Sequence, residues 1–316
     1  MYQIISSKLL IANLFRASFF RTKSFGSSAT LCLAIVLTLV VSPVYGQDTP
    51  SVDEWEAWVK KYDTGRRSAD GWLALVGLYW LKEGNNSLGS DPGNLHRFPD
   101  EMPAKFGEIS VIGNQIMFSR ASPAIRIDGK DIDQLQLIPN ETIVSLNSHS
   151  FYIIERERGY AIRLKNVDNP AIKAFSGTQF YPYADSWLIP ARLVRHESPQ
   201  KIRIATVYAT LRESDSAGWL EFDYQGTKQR LQAVSYGPDE PMMLMFADGT
   251  SRKSTYGAGR FLDVQWPQEG NDQTYINFNK AYNPPCAITA FATCPLPPPQ
   301  NRLKISIEAG ELFTGH

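Results

Sequence analysis

Through most of the chain, short apolar runs alternate with turn residues; one early stretch keeps a different period. In Ser51-Val-Asp-Glu-Trp-Glu-Ala-Trp-Val-Lys-Lys-Tyr62, the residues Trp55, Trp58, Val59 and Tyr62 fall at i, i+3, i+4 and i+7. That spacing puts them on one helical face. Ser51 with Glu54 three positions on forms a capping box. The expected element is a short amphipathic helix docked on the domain C-terminal to it, with a partner-binding helix as the rival reading.

From Gly71 the period changes to that of strands. Trp72-Leu-Ala-Leu-Val76 and Leu78-Tyr-Trp-Leu81 open the series. Strands are expected over 108–112, 115–118, 125–127, 142–146, 151–156 and 160–164. The pairs Gly113-Asn114, Asp128-Gly129 and Arg158-Gly159 between them have hairpin chemistry. After Asn169-Pro170, further strands are expected over 187–195, 201–211, 218–224, 228–235, 242–246, 259–264, 274–278 and 303–307. Strands recurring every 8 to 12 residues or so point to a sandwich or barrel. No helical pattern is long enough for an α/β unit, so the fold class is mainly β. Residues 284–299 hold six prolines. Such density excludes helix and central strand, and Tyr282, Ile288, Phe291 and Leu296 among them suit a rigid segment pinned to the β domain.

The N-terminus is a different kind of chain. Residues 1–46 carry Lys8, Arg16, Arg21 and Lys23 and no acid. The apolar run Leu31-Cys-Leu-Ala-Ile-Val-Leu-Thr-Leu-Val-Val41 comes next, then small residues before Gln47. This is the pattern of a signal peptide, and the run is short for a transmembrane helix. The reading is a signal over 1–46 and a helix with linker over 47–70. A β-sandwich over 71–168 and a second β domain over 169–316 complete it. Export to the periplasm or outside is the expected location, without a membrane span after cleavage.

Composition changes once the signal is removed. The whole chain balances 32 basic against 32 acidic residues. Without the four basic residues of 1–46, 28 basic face 32 acidic, a net charge of −4. That balance gives no reason to expect nucleic acid. Cys286 and Cys294 remain, in a compartment that permits a disulfide. A disulfide is the first reading; a zinc site, a nucleophilic thiol and two buried free thiols are the others.

Standard catalytic motifs are missing, and neither cofactor nor metal is implied. Tyr256-Gly-Ala-Gly-Arg260 has Gly-x-Gly without the third glycine or a following helix, so it reads as a tight bend feeding a strand. Arg260 there either contacts an anionic ligand or pairs with a buried carboxylate and stitches strands together. His96, His149, His196 and His316 sit singly and read as surface or loop residues. Glu308, after an apolar strand and near Arg302, is a weak candidate for a general base.

Several blocks resemble the bacterial family known as domain of unknown function 1684. They are Asp70-Gly-Trp-Leu-Ala-Leu-Val-Gly-Leu-Tyr-Trp-Leu81, Leu88-Gly-Ser-Asp-Pro92, Thr255-Tyr-Gly-Ala-Gly-Arg-Phe-Leu262, and the run from Asn277 through the prolines to Glu311. The resemblance covers nearly the whole mature chain and implies membership without an activity. Residues 84–165 also resemble, more loosely, a forkhead-associated sandwich, with Leu88-Gly-Ser-Asp-Pro92 as its first turn. Those domains read phosphothreonine with an Arg after the glycine and a later Ser-x-x-His. Ser90 stands in that Arg position here, so the fold carries over and the phosphopeptide reading does not.

The family blocks concentrate on ten residues, Cys286, Cys294, Asn301 and Glu308 among them, and the ligand-binding candidates are Tyr256, Arg260, Asn279, Tyr282, Asn283 and Arg302. These six could line a polar, aromatic-walled pocket for a small polar or anionic ligand. Alternatively, they satisfy the backbone of a Pro-rich segment that has no ladder. A hydrolase using Glu308 and an envelope interaction or scaffold protein using the Trp55/Trp58 helix are the other expectations. For the export reading, intact mass of the protein recovered from the envelope should correspond to a chain beginning at Gln47.

Overall fold

The computed structural model describes residues 51–313; the signal expected over 1–46, its expected cleavage site and His316 lie outside them. The described part of the chain lies within one compact unit, and it is mainly β. Its strands are β1 (Leu75–Trp80), β2 (Gly84–Gly89), β3 (His96–Arg97), β4 (Gly107–Ile112), β5 (Gln115–Arg120), β6 (Arg126–Ile127), β7 (Gln134–Gln136), β8 (Val144–Leu146), β9 (His149–Arg156) and β10 (Gly159–Asn166) in the first half. The second half has β11 (Leu188–Val194), β12 (Lys201–Ala205), β13 (Leu211–Tyr224), β14 (Thr227–Ser235), β15 (Met242–Phe246), β16 (Arg260–Val264) and β17 (Gln273–Asn277). Two helices, α1 (Val52–Arg67) and α2 (Pro170–Ala174), precede the two halves.

The first half is a sandwich. One sheet runs β1-β10-β9-β8-β6 and the other β3-β2-β4-β5-β7. Alternation drives this arrangement: Ile109 and Val111 on β4, Ile116 and Phe118 on β5 and Phe151 and Ile153 on β9 all point inward. The Gly113-Asn114 turn joins β4 to β5, and Arg158-Gly159 belongs to the β9–β10 connection. Asn86 is wholly buried, and its side chain meets Lys82, Gly84, Ile109 and His96. His96 and His149 are therefore not surface residues. Both are buried, because they stand on strands rather than in loops. Burial, then the Lys82 charge, holds the His96 imidazole below its ordinary value.

The second half is one sheet in the order β16-β15-β14-β13-β11-β17, with β12 paired to β13. Its end strands β16 and β17 approach each other, so the sheet curls into a half-barrel around Leu220, Leu231, Leu244, Phe246 and Phe278. The expected strand over 201–211 breaks at 206–210, where Ala209 takes φ 58. Polar 212–217 belongs instead to the 14-residue β13, because 211–215 is held by β12 on one side. The 303–307 segment also departs from expectation. It is an extended strap touching the sheet through single bonds, such as Leu303 N to the Ala247 carbonyl (2.8 Å) and Gly249 N to the Ile305 carbonyl (2.8 Å).

Helix α1 begins with the expected capping box of Ser51 and Glu54. Its apolar face is spent within the chain. Trp55 and Trp58 lie 5.8 and 5.7 Å from Phe180, edge to face, and Trp55 Nε1 donates to the Asn279 carbonyl at 3.0 Å. The Pro-rich segment is pinned by a Cys286–Cys294 disulfide and by Leu296 N bonding the Ala205 carbonyl (2.7 Å). No helix among the described residues is long and apolar enough to cross a membrane. Replacing both cysteines by serine should lower stability by about 2–3 kcal/mol, the chain-entropy value for so short a loop, read as a shift in urea midpoint. Thiol titration of the denatured chain without residues 1–46 should find no free thiol.

Candidate functional site

The glycine bend does feed a strand. Gly259 has φ 97, and a Cβ there would meet the Phe246 carbonyl oxygen and Pro297 Cγ, each at 2.5 Å. Only glycine accommodates both conditions. The bend delivers Arg260 to the first position of β16, where it is 0% exposed. Its guanidinium donates to the Ala309 carbonyl and to the Ile307 carbonyl at 3.0 Å, and lies 3.4 Å from the buried Asp248 carboxylate. Asp248 in turn accepts from Ile307 N at 2.6 Å and from the Thr250 hydroxyl at 2.9 Å. Desolvation pushes the guanidinium below its ordinary value and the Asp248 charge opposes this. Arg260 thus answers the strap's carbonyls and neutralises a buried acid.

The other five residues are placed separately. Asn279 is buried; its Nδ2 donates to the Ala184 carbonyl (2.9 Å) and its Oδ1 accepts from Ala184 N (3.1 Å), as a second strand would. Arg302 is exposed. The Tyr282 hydroxyl lies 3.4 Å from Asp263, and its ring is 5.6 Å from Tyr62. The Tyr256 hydroxyl donates to the Cys286 carbonyl at 3.4 Å, and its ring packs on Phe313 at 5.0 Å. Asn283 is buried, donates through Nδ2 to the Leu312 carbonyl (3.0 Å), and leaves its Oδ1 buried with no hydrogen-bond partner. Glu308 is exposed.

The buried carboxylate of the strap is Glu311, three residues on. It forms an ion pair with Arg66 of α1 at 2.9 Å, both side chains almost fully buried. It also accepts from Tyr62 Oη at 3.0 Å and from Asn283 N at 2.8 Å. Burial pushes the Glu311 carboxyl up, and Arg66 with these donors pulls it back. Burial and the Glu311 charge push the Tyr62 phenol well above its usual range. Arg66 continues to the Thr178 hydroxyl (2.9 Å), which donates to Asp63. Arg66 and Glu311 escaped the sequence reading, although Arg66 stands one helical turn beyond Tyr62 and so continues the stripe of Trp55, Trp58 and Tyr62.

Beside this network is a cavity of about 480 Å³. Arg66, Ser176, Thr178, Gln179, Asn283 and Glu311 supply its polar wall, and Leu73, Ala174, Phe175, Ile288 and Phe313 contribute to its apolar wall. Of the six residues singled out in the sequence, Asn283 lines it directly and Tyr256 touches it through Phe313. The cavity is walled by α1, the 171–179 connection, the disulfide loop and the strap.

Residues 173–312 match the model of a family described as "Protein of unknown function (DUF1684)". The matched segment holds the half-barrel, the bend at Gly259, the Pro-rich loop and Glu311, whereas the blocks at 70–81 and 88–92 fall before it. No curated protein matches the chain. Solved structures similar to parts of it include the solution NMR structure of an uncharacterized protein of Haloarcula marismortui, 26% identical, covering 45% of this chain and 80% of that one at a TM-score of 0.38. Another, from a structural and functional analysis of phosphothreonine-dependent FHA domain interactions, is 18% identical over 28% of this chain and 81% of that one, with a TM-score of 0.21. The FHA domain of CT664 protein from Chlamydia trachomatis is 18% identical over 27% of this chain and 81% of that one, with a TM-score of 0.20.

Burial predicts opposite behaviour for two arginines of the sequence cluster. Arg260→Ala strands a buried Asp248 and should cost about 3–5 kcal/mol. Arg302→Ala, at an exposed site, should change stability by less than about 0.5 kcal/mol. Urea denaturation of the two variants beside the parent checks both.

Proposed function

We propose that this protein is an exported binding protein for a small polar ligand, taken up by the cavity between α1, the disulfide loop and the strap. The observation that carries the reading is Asn283 Oδ1, a buried acceptor without a partner in a cavity wall. A buried acceptor left unpaired costs free energy comparable to a lost hydrogen bond, and a ligand N–H or O–H would recover it. Charge narrows the ligand class: Arg66 is already matched by Glu311, so the wall offers no surplus cation to an anion. The ligand that fits is uncharged, with an apolar body against Leu73, Phe175 and Ile288 and one hydrogen-bond donor. The volume suits a small molecule.

Benzamide and benzyl alcohol, each a ring bearing a donor, serve as probes in ligand-observed NMR. Saturable binding by the parent is expected. Ala174→Trp, at an exposed position on the cavity rim, should abolish it while leaving the melting temperature within a few degrees. Failure of both probes to bind the parent, or binding untouched by Ala174→Trp, would remove the cavity as the site.

A further inference from the structure

The outer face of the half-barrel carries a cavity of about 550 Å³. Alternation decides which side chains reach it. On β13, Leu220 and Phe222 point into the core, so Glu221 between them points out. The register fixes its neighbours. Glu221 stands opposite Arg230 of β14 and Arg192 of β11, and Arg192 stands opposite Gln273 of β17. Directly opposed residues share a face. Gln273, Arg192, Glu221 and Arg230 therefore form one row across four strands, all exposed and all lining the cavity. At about 4.8 Å between strands, the row spans roughly 14 Å.

Opposite charges in such a row ordinarily pair across the strands. Here they do not. Arg192 Nε turns to Asp272 at 2.9 Å. Arg230 lies 4.3 Å over the ring of Trp219, two residues before Glu221 on the same face. Among the described residues, no ion pair includes Glu221, Arg230, Asp223 or Lys228. Glu221 keeps its carboxylate oxygens free between two arginines that are held elsewhere. Asp223 and Lys228 oppose each other further along and also line the cavity. With Arg192 answered by Asp272, two cations face two acids, and the cavity has no surplus charge for an ion.

Arginine only donates and a carboxylate only accepts, so the row alternates the two and ends on an amide that does both. The ligand group that meets every position is the hydroxyl, which donates to Glu221 and accepts from Arg192 and Arg230. The backbone adds nothing, because β11 is paired on both sides, to β13 and β17, and β13 to β11 and β14. An extended peptide adding as a strand would need a free edge. We infer that this face binds an uncharged oligosaccharide laid across the strands. The strand spacing is comparable to the length of one sugar unit, so successive units meet successive side chains. Tyr275, exposed on β17 opposite Pro190 of the cavity lining, supplies a ring on which a sugar stacks beside the row. The site is separate from the cavity beside Asn283 and does not depend on it.

Calorimetric titration with cellohexaose, maltohexaose and chitohexaose tests the inference, with glucose as the single-unit control and hexalysine and hexaglutamate as charged chains. Saturable binding of at least one hexaose is expected, with glucose weaker than that hexaose. Glu221→Thr, at an exposed position, should melt within a few degrees of the parent. It should bind the hexaose roughly tenfold or more weakly, the loss of a hydrogen bond to a charged group. Ala174→Trp, on the rim of the other cavity, should bind the hexaose as the parent does. Failure of all three hexaoses would overturn the proposal, as would glucose binding as tightly as the hexaose. Undiminished binding in Glu221→Thr, or binding lost in Ala174→Trp, would do the same. Tighter binding of either charged hexapeptide than of any hexaose would also overturn it and make the face an ionic one.

Discussion

The half-barrel depends on one buried charge pair. Arg260 and Asp248 stand where the C-terminal strap crosses the sheet, and between them they answer the strap amide of Ile307 and the carbonyls of Ile307 and Ala309. A strap without a continuous ladder would otherwise bury these groups unpaired. Such a pair is not efficient stabilisation, since desolvation consumes much of the attraction. What it provides is position. The strap must lie where the fork of Arg260 reaches two carbonyls, and Glu311 is thereby carried under α1. Gly259, which no other residue could replace at its distance from Phe246 and Pro297, sets the place of Arg260.

Much of the fold was legible because two periods are plain in the chain. The i, i+3, i+4, i+7 stripe of Trp55, Trp58, Val59 and Tyr62 is α1, docked as expected, and alternation with Gly-containing turns marks most strands of both halves. Errors arose where side chains did the work of the backbone. Residues 303–307 alternate like a strand, yet they meet the neighbouring backbone only through single bonds at Leu303 and Ile305, and side chains of Asp248 and Arg260 answer Ile307. Ser214 and Ser216 look like turn residues but sit inside β13. His96 and His149 have no local signature of burial, because the groups that cover them, such as Asn86 beside His96, come from other strands.

The site was less legible than the fold. The residues around the Pro-rich corner were visible as a set, but a sequence does not tell which polar side chain the backbone satisfies in full. Asn279 and Asn283 illustrate this: four positions apart and chemically identical, Asn279 meets Ala184 through both amide atoms, whereas Asn283 donates to Leu312 and leaves its Oδ1 buried without a partner. The charged pair at that cavity joins residues of opposite ends of the described chain, a relation no local pattern carries.

Arg66 and Glu311 lie 245 residues apart in sequence. Closing so long a loop brings an entropic cost that must be met before the contact forms, and contacts of this range slow folding. Helix α1 can therefore be made early and still lack the partner of Arg66 until the final strap arrives. Loss of that strap would leave Arg66 without its counter-ion and Tyr62 without its acceptor, while Trp55 and Trp58 keep their contacts with Phe180.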